Sequence, residues 1–200
     1  MKKASMNLPN LLSLLRVVLV PIFVATLIFM RDIPLWGQLV PALIYALTAL
    51  TDMLDGKIAR KYNLVTDFGK FIDPLADKFM VLASMIAMLT VMVLQGETVM
   101  ALVFVWVVLV ILLRELAVTS LRLVVAGNSG IVVAASLLGK LKTVSQMVGT
   151  VGIILEPVIF PFSAETHVVA YILMAIMLVT TLVSGLDYLK AYMPYIDTNK

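Results

Sequence analysis

The sequence predicts an all-α, polytopic membrane protein with about six transmembrane helices, and three observations carry that prediction. Hydrophobic residues make up 62% of the 200 positions, against the roughly 45 to 50% of a soluble domain, and the mean hydropathy is +1.08. The apolar residues gather into stretches over 8–30, 34–51, 74–95, 99–122, 130–155 and 167–192, each near the ~20 residues that cross the hydrocarbon. Lysine and arginine concentrate on alternate connections between those stretches, as a multi-pass chain requires.

The first stretch is longer than the apolar core of a signal peptide and lacks a small-residue cleavage site, so it reads as a retained span. Turns between spans are expected at Asp32–Pro34, Gln95–Thr98, Gly127–Gly130 and Pro157–Phe162, where Gly, Pro, Asn and Asp collect. Pro9, Pro21 and Pro41 fall at helix starts or inside spans and read as kinks. Ala134, Ala135, Ser136, Gly139, Gly149 and Gly152 are small enough to let helices approach closely, within one protomer or between two. With no linker or low-complexity tract, residues 1–200 read as a single transmembrane domain.

Orientation follows from the bases. Lys2, Lys3, Lys57, Arg60, Lys61, Lys70, Lys78, Arg114, Arg122, Lys140, Lys142, Lys190 and Lys200 fall on one side of a six-helix zigzag, and the other side carries Arg31 beside Asp32. The positive-inside bias puts both termini in the cytoplasm. The net charge of +3 is thereby accounted for by topology and anionic head groups, and no soluble segment remains to bind nucleic acid. Zero cysteines exclude disulfides and thiolate ligands, and the single histidine, His167, lies on the outer side, which argues against zinc.

The chemistry concentrates in residues 52–78, DMLDGKIARKYNLVTDFGKFIDPLADK. Asp52 and Asp55 are three apart and Asp73 and Asp77 four apart, so each pair shares one face of its helix. A charged side chain at bilayer depth costs roughly 2.5 to 3.5 kcal/mol, so four carboxylates at the end of two spans must face water, a cation or both. Oxygen ligands of this kind suit Mg²⁺, Mn²⁺ or Ca²⁺. Gly56, Ala59 and Gly69 keep the neighbouring backbone accessible to a nucleotide or diphosphate, and Arg60 offers a planar fork to phosphate or carboxylate. Asp67 falls in the spacer and reads as solvated.

Written as D-x2-D-G-x2-A-R-x8-G-x3-D-x3-D, the segment resembles the signature of the CDP-alcohol phosphatidyltransferase family at every defining position. Eight fixed positions at about 5 to 8% usage each make a chance match on the order of 10⁻¹⁰ per starting point. The resemblance implies a cytoplasm-facing polar cavity in which a CDP-linked lipid or alcohol gives up its phosphoryl-linked group to an alcohol, with CMP leaving. It implies Mg²⁺ or Mn²⁺ on Asp52, Asp55, Asp73 and Asp77, with Asp77 also the general base. Gly56, Ala59, Arg60 and Gly69 are implied to bind the nucleotide of the CDP-lipid.

The acceptor is read from the fourth and fifth spans, LLRELAVTSLRLV and AASLLGKLKTVSQ. Arg114, Arg122 and Lys140 at their cytoplasmic ends fit an anionic acceptor and are the expected phosphate-binding residues. Competing readings are a Glu115–Arg122 structural pair and snorkelling of Lys142 and Lys78 to the head groups. NLPNLLSLLRVVLVP, the RE pair with a following SLR, GKLKT and SGLDYL resemble the branch of the family that joins CDP-diacylglycerol to sn-glycerol 3-phosphate in phospholipid synthesis. That resemblance also implies a homodimer in the bacterial inner membrane. Inositol phosphate, or phosphatidylglycerol as in cardiolipin synthesis, is the alternative acceptor. A divalent-cation transporter or channel is the remote alternative, against which the acids cluster at one surface instead of lining a path. Asn7, Asn10 and Arg16 fit either a cavity lining or an amphipathic entry helix.

Overall fold

A computed structural model describes residues 7–62, 66–129 and 136–195, apart from the side chains of residues 53, 55–61, 126, 128 and 129. Its described residues form six α-helices: α1 (Leu8–Phe29), α2 (Trp36–Lys61), α3 (Asp67–Leu94), α4 (Thr98–Ser129), α5 (Leu137–Ile159) and α6 (Val168–Tyr192). The helices α1, α3, α4 and α6 are each long and apolar enough to cross a membrane. Polar residues also occur in the other two, with Gln38, Thr48, Thr51 and Asp52 in α2 and Lys140, Lys142, Gln146 and Glu156 in α5. Large apolar side chains such as Leu43, Trp106, Leu113, Leu123 and Ile172 face outward, the inverse of a soluble surface and the pattern of a multi-pass membrane protein.

The helices start and stop for local reasons. Pro9 sits in the first turn of α1, where no backbone N–H is needed. Between α1 and α2, Leu35 takes a left-handed φ of 65°. Gly37 follows, where a Cβ would lie 2.2 Å from the Met30 carbonyl oxygen, so that turn admits no side chain there. Thr66 caps α3 by accepting from the Gly69 N–H at 3.0 Å, and Asp67 places a negative charge in the first turn. The cap starts α3 seven residues before the apolar stretch begins, so Asp67 and Asp73 precede that stretch and Asp77 lies in its first turn. Gly96 at φ 83° turns the chain into α4.

Two of the expected turns begin inside helices. α4 runs on through Gly127 to Ser129; an isolated glycine costs a helix only about 1 kcal/mol, and this one keeps an ordinary helical φ. α5 continues through Pro157 to Ile159, since a membrane helix tolerates the proline's missing hydrogen bond. A 3₁₀ turn over Pro161–Ser163 then ends the connection. Ser163 receives the Val169 N–H at 3.1 Å, and His167 at φ 52° serves as a turn residue.

The chain divides into two compact units, residues 1–97 with 154–161 and residues 98–153 with 162–200. In the first, α1 packs against α2 and α3, burying Val20, Phe23 and Leu27 with Tyr45, Ala76 and Met80. The rings of Phe23 and Tyr45 lie 5.1 Å apart. In the second, α4 packs on α6 through Val118, Val125, Tyr188 and Tyr192, and side chains of α6 fill the space left by two glycines of α5. A Cβ on Gly149 would lie 2.4 Å from Met177 Sδ, and one on Gly152 2.6 Å from Leu173 Cδ1. Those two glycines therefore serve contact within one protomer. Ala134 and Ala135 lie outside the described residues. Ser145 with Thr180 at 2.7 Å and Gln146 with Thr181 at 3.1 Å add hydrogen bonds across the same pair of helices.

Candidate active site

In the first unit α1 turns a polar stripe inward. Asn10, Ser13 and Arg16 recur at three-residue spacing, so they share one face, and all three are buried in a span that is otherwise apolar. Each meets the segment that carries the carboxylates. Arg16, with a side chain 0% exposed, places Nη1 2.8 Å from Asp52 Oδ1 and donates to Asp77 Oδ1 with the same nitrogen. Ser13 Oγ lies 2.5 Å from Asp73 Oδ1 and 3.1 Å from the Pro9 carbonyl, two acceptors for one hydroxyl proton. Asn10 Oδ1 accepts from Thr66 Oγ1 at 3.0 Å, which ties the cap of α3 to α1.

The guanidinium thus gathers one carboxylate from α2 and one from α3 onto a single cation. Unpaired, these acids would repel; paired with a buried arginine, they stand together between α2 and α3. Asp77 keeps 52% of its side chain exposed, so it is anchored on one side and open to solvent on the other. Gly69 is buried, and a Cβ there would lie 2.9 Å from Asn10 Oδ1 and 3.8 Å from Asp73 Oδ2. Its missing side chain makes room for the α1 stripe.

Asp55, Gly56, Ala59 and Arg60 lie on the helical backbone of α2 one to two turns past Asp52, and their side chains fall outside the described residues. Among the described residues no group of three His, Cys, Asp or Glu side chains is placed to hold a metal ion. The donor chemistry nevertheless suits one. Asp52, Asp73 and Asp77 are hard oxygen donors, and the position of Arg16 shows that Asp52 and Asp77 can share a single positive charge. Asp67 is separate: its side chain is 99% exposed and pairs with Lys70 at 3.0 Å.

The second unit holds a cluster of opposite sign. Arg114 Nη1 donates to Glu115 Oε1 at 3.0 Å and its Nη2 to Ser184 Oγ at 2.6 Å. Lys142, 4% exposed, donates to the same Glu115 oxygen at 2.5 Å. Lys142 is therefore an interior counter-ion and does not snorkel to the head groups. Arg122 is not the partner of Glu115; it is exposed and donates to the Tyr188 hydroxyl at 2.7 Å, with no carboxylate partner among the described residues. Lys140 is exposed and makes no ion pair among the described residues.

Sequence reading left Arg16 undecided and passed over Ser13, Ser184 and Tyr188. A usable signal was present in the polar stripe Asn10, Ser13, Arg16, since three polar residues at helical spacing inside an apolar span demand partners. For Ser184 and Tyr188 the sole hint was their place in the SGLDYL motif.

Asp52 and Asp77 on a shared buried arginine, with Asp73 beside them, form a group of hard oxygen donors, and comparison with known proteins gives the class. The family model for CDP-alcohol phosphatidyltransferase matches residues 6–183, and the chain belongs to that family. Among curated relatives, it is 40% identical over 194 residues to a CDP-diacylglycerol--glycerol-3-phosphate 3-phosphatidyltransferase of Bacillus subtilis, covering 91% of this chain and 93% of that one. It is 37% identical over 182 residues to a probable phosphatidylglycerophosphate synthase of Mycobacterium tuberculosis, covering 91% and 79%. A Rickettsia typhi protein with the same name as the Bacillus one is 36% identical over 193 residues, covering 94% and 98%.

Proposed function

We propose that this chain transfers the phosphatidyl group of CDP-diacylglycerol to sn-glycerol 3-phosphate, giving phosphatidylglycerol phosphate and CMP. The observation that carries the reading is the gathering of Asp52 and Asp77 on Arg16, inside a fully matched family signature. Relatives sharing 36 to 40% identity over most of their length carry the name of this reaction.

Asp52, Asp55, Asp73 and Asp77 would hold Mg²⁺ or Mn²⁺, which when bound neutralises charge on the diphosphate. Asp77 takes the proton of the acceptor hydroxyl. The oxygen so relieved forms the new bond to the phosphorus that bears diacylglycerol. The phosphoanhydride bond breaks, and its electron pair leaves with CMP. Arg16 orients Asp77 through Oδ1, and Ser13 orients Asp73. Gly56, Ala59, Arg60 and Gly69 form the nucleotide side, and Arg114, Arg122 and Lys140 recognise the phosphate of the acceptor. The protein works as a homodimer in the bacterial cytoplasmic membrane, termini and carboxylates facing the cytoplasm, in agreement with the distribution of lysine and arginine.

The test is CMP release by the detergent-purified protein given CDP-diacylglycerol and Mg²⁺ or Mn²⁺, with glycerol 3-phosphate, inositol phosphate, inositol, serine or phosphatidylglycerol as acceptor. Turnover with glycerol 3-phosphate alone, abolished by chelator, is expected. Turnover with another acceptor keeps the carboxylate chemistry and overturns the acceptor; none with any acceptor overturns the reaction.

A further inference from the structure

Of three short motifs of this chain, RE with its following SLR and GKLKT supply the proposed phosphate-binding bases, while SGLDYL has no assigned role. The fold brings all three to one residue. Tyr188 of α6 is buried, and the guanidinium carbons of Arg114 and Arg122 lie over its ring at 5.2 and 5.0 Å from the centroid, within the reach of a cation–π contact. Its hydroxyl accepts from Arg122 Nη2 at 2.7 Å. Eight residues separate the two arginines, so their Cα atoms stand about 12 Å apart along α4. One aromatic ring closes that gap by drawing both head groups to itself.

The surroundings of the ring are shaped for it. Gly139 of α5 faces Tyr188, and a Cβ there would lie 3.0 Å from the hydroxyl oxygen and 3.1 Å from Cε2. Gly185 lies under the stem of Arg114, with 3.2 Å between a Cβ and Arg114 Cγ. Ser184 accepts from Arg114. Tyr192 stacks behind Tyr188 with ring centroids 6.1 Å apart and planes 20° apart. Gly139 thus makes room for the tyrosine, and Gly185 for the arginine that rests on it.

The charges differ in how they are spent. Glu115 takes up Lys142 and shares Arg114, whereas Arg122 is held by a neutral hydroxyl and a π face. A phenol orients a guanidinium without cancelling its charge, so Arg122 stays available to a dianion while its flexible side chain is fixed in advance. Pre-ordering of this kind lowers the entropic cost of binding a small ligand.

We infer that Ser184, Gly185 and Tyr188 form a socket that fixes Arg114 and Arg122 as a phosphate fork, and that Tyr188 is the positioning residue that sets affinity for the phosphate monoester of the acceptor. This rests on the proposed function, in which those arginines read that phosphate. Tyr188 itself touches neither substrate nor metal in this scheme.

The test is steady-state CMP release by the full-length protein, varying glycerol 3-phosphate and CDP-diacylglycerol separately. Tyr188→Phe keeps the ring and its packing and removes the bond to Arg122. It should raise the KM for glycerol 3-phosphate about tenfold, the size of a lost charge-assisted hydrogen bond, with kcat and the KM for CDP-diacylglycerol within about twofold. Gly139→Ala, which pushes on the ring from α5, should move the same constant in the same direction and by less. Arg122→Ala run beside them separates the failures. If Arg122→Ala raises the KM for glycerol 3-phosphate and Tyr188→Phe does not, the socket is wrong and the function stands. If neither does, the phosphate assignment of the arginines falls and the socket with it. An equal rise in both KM values on Tyr188→Phe makes the tyrosine merely structural and overturns the inference.

Discussion

The carboxylate site of α1–α3 and the basic cluster of α4–α6 are built on the same device with the signs reversed. In the first, one buried arginine gathers Asp52 and Asp77. In the second, one glutamate gathers Arg114 and Lys142. Each region spends a single opposite charge to bring like charges together, and each keeps a surplus of its own sign. The surplus of acid suits a divalent cation, and the surplus of base suits a phosphate. A lone charge buried in either spot would be costly, so the counter-ion is what allows like charges to gather there.

The largest expected effect tests what the acidic surplus is for. Asp77→Asn should lower turnover by about 10² to 10⁴, a general-base factor, while binding of CDP-diacylglycerol persists. Unchanged CMP release would leave Arg16 holding a purely structural acid.

Next come the two counter-ions. Arg16→Gln removes a buried partner, an operation that costs on the order of 3 to 5 kcal/mol when both charges are interior; the exposure of Asp77 puts the expectation at the low end. The melting temperature should fall sharply in chelator and much less with Mn²⁺, because a bound cation takes over the neutralisation. A fall of the same size in both conditions would mean that Arg16 serves packing alone. Glu115→Gln leaves Lys142 and Arg114 without their shared carboxylate. The loss of melting temperature there should be eased by glycerol 3-phosphate and not by Mn²⁺. Rescue by the metal, or by neither ligand, would break the mirror relation between the two regions.

The smallest effect is expected at the acid that belongs to neither cluster. Asp67→Asn removes a solvent-exposed pair with Lys70, and turnover should stay within about twofold, as for most surface ion pairs. A drop comparable to that of Asp77→Asn would place Asp67 in the site and redraw its boundary.

Asp73 and Asp77 were legible as a pair because a helix converts a spacing of four into a shared face, and because acids at the ends of apolar spans have few bland explanations; the side chain of Asp55 lies outside the described residues. The position of the spans was legible for a similar reason, since hydropathy is summed along one helix. Helix ends were less so. Thr66 starts α3 well ahead of its apolar stretch, and α4 passes through Gly127, because caps and tolerance of a single glycine decide ends that hydropathy does not see. Lys142 shows the same limit. Two residues from Lys140 in sequence, it is interior while Lys140 is exposed, and that difference depends on how α5 is rotated against its neighbours.

By itself, then, the sequence determined the all-helical membrane architecture, the family pattern and the positions of the candidate acids, all of which are written within one helix or one short segment. Tertiary structure alone decided the partners. Arg16 meets Asp77 across 61 residues, and Arg122 meets Tyr188 across 66. Such pairs depend on the rotation of each helix about its axis and on the small residues that let two axes approach, quantities that no window along a single chain segment contains.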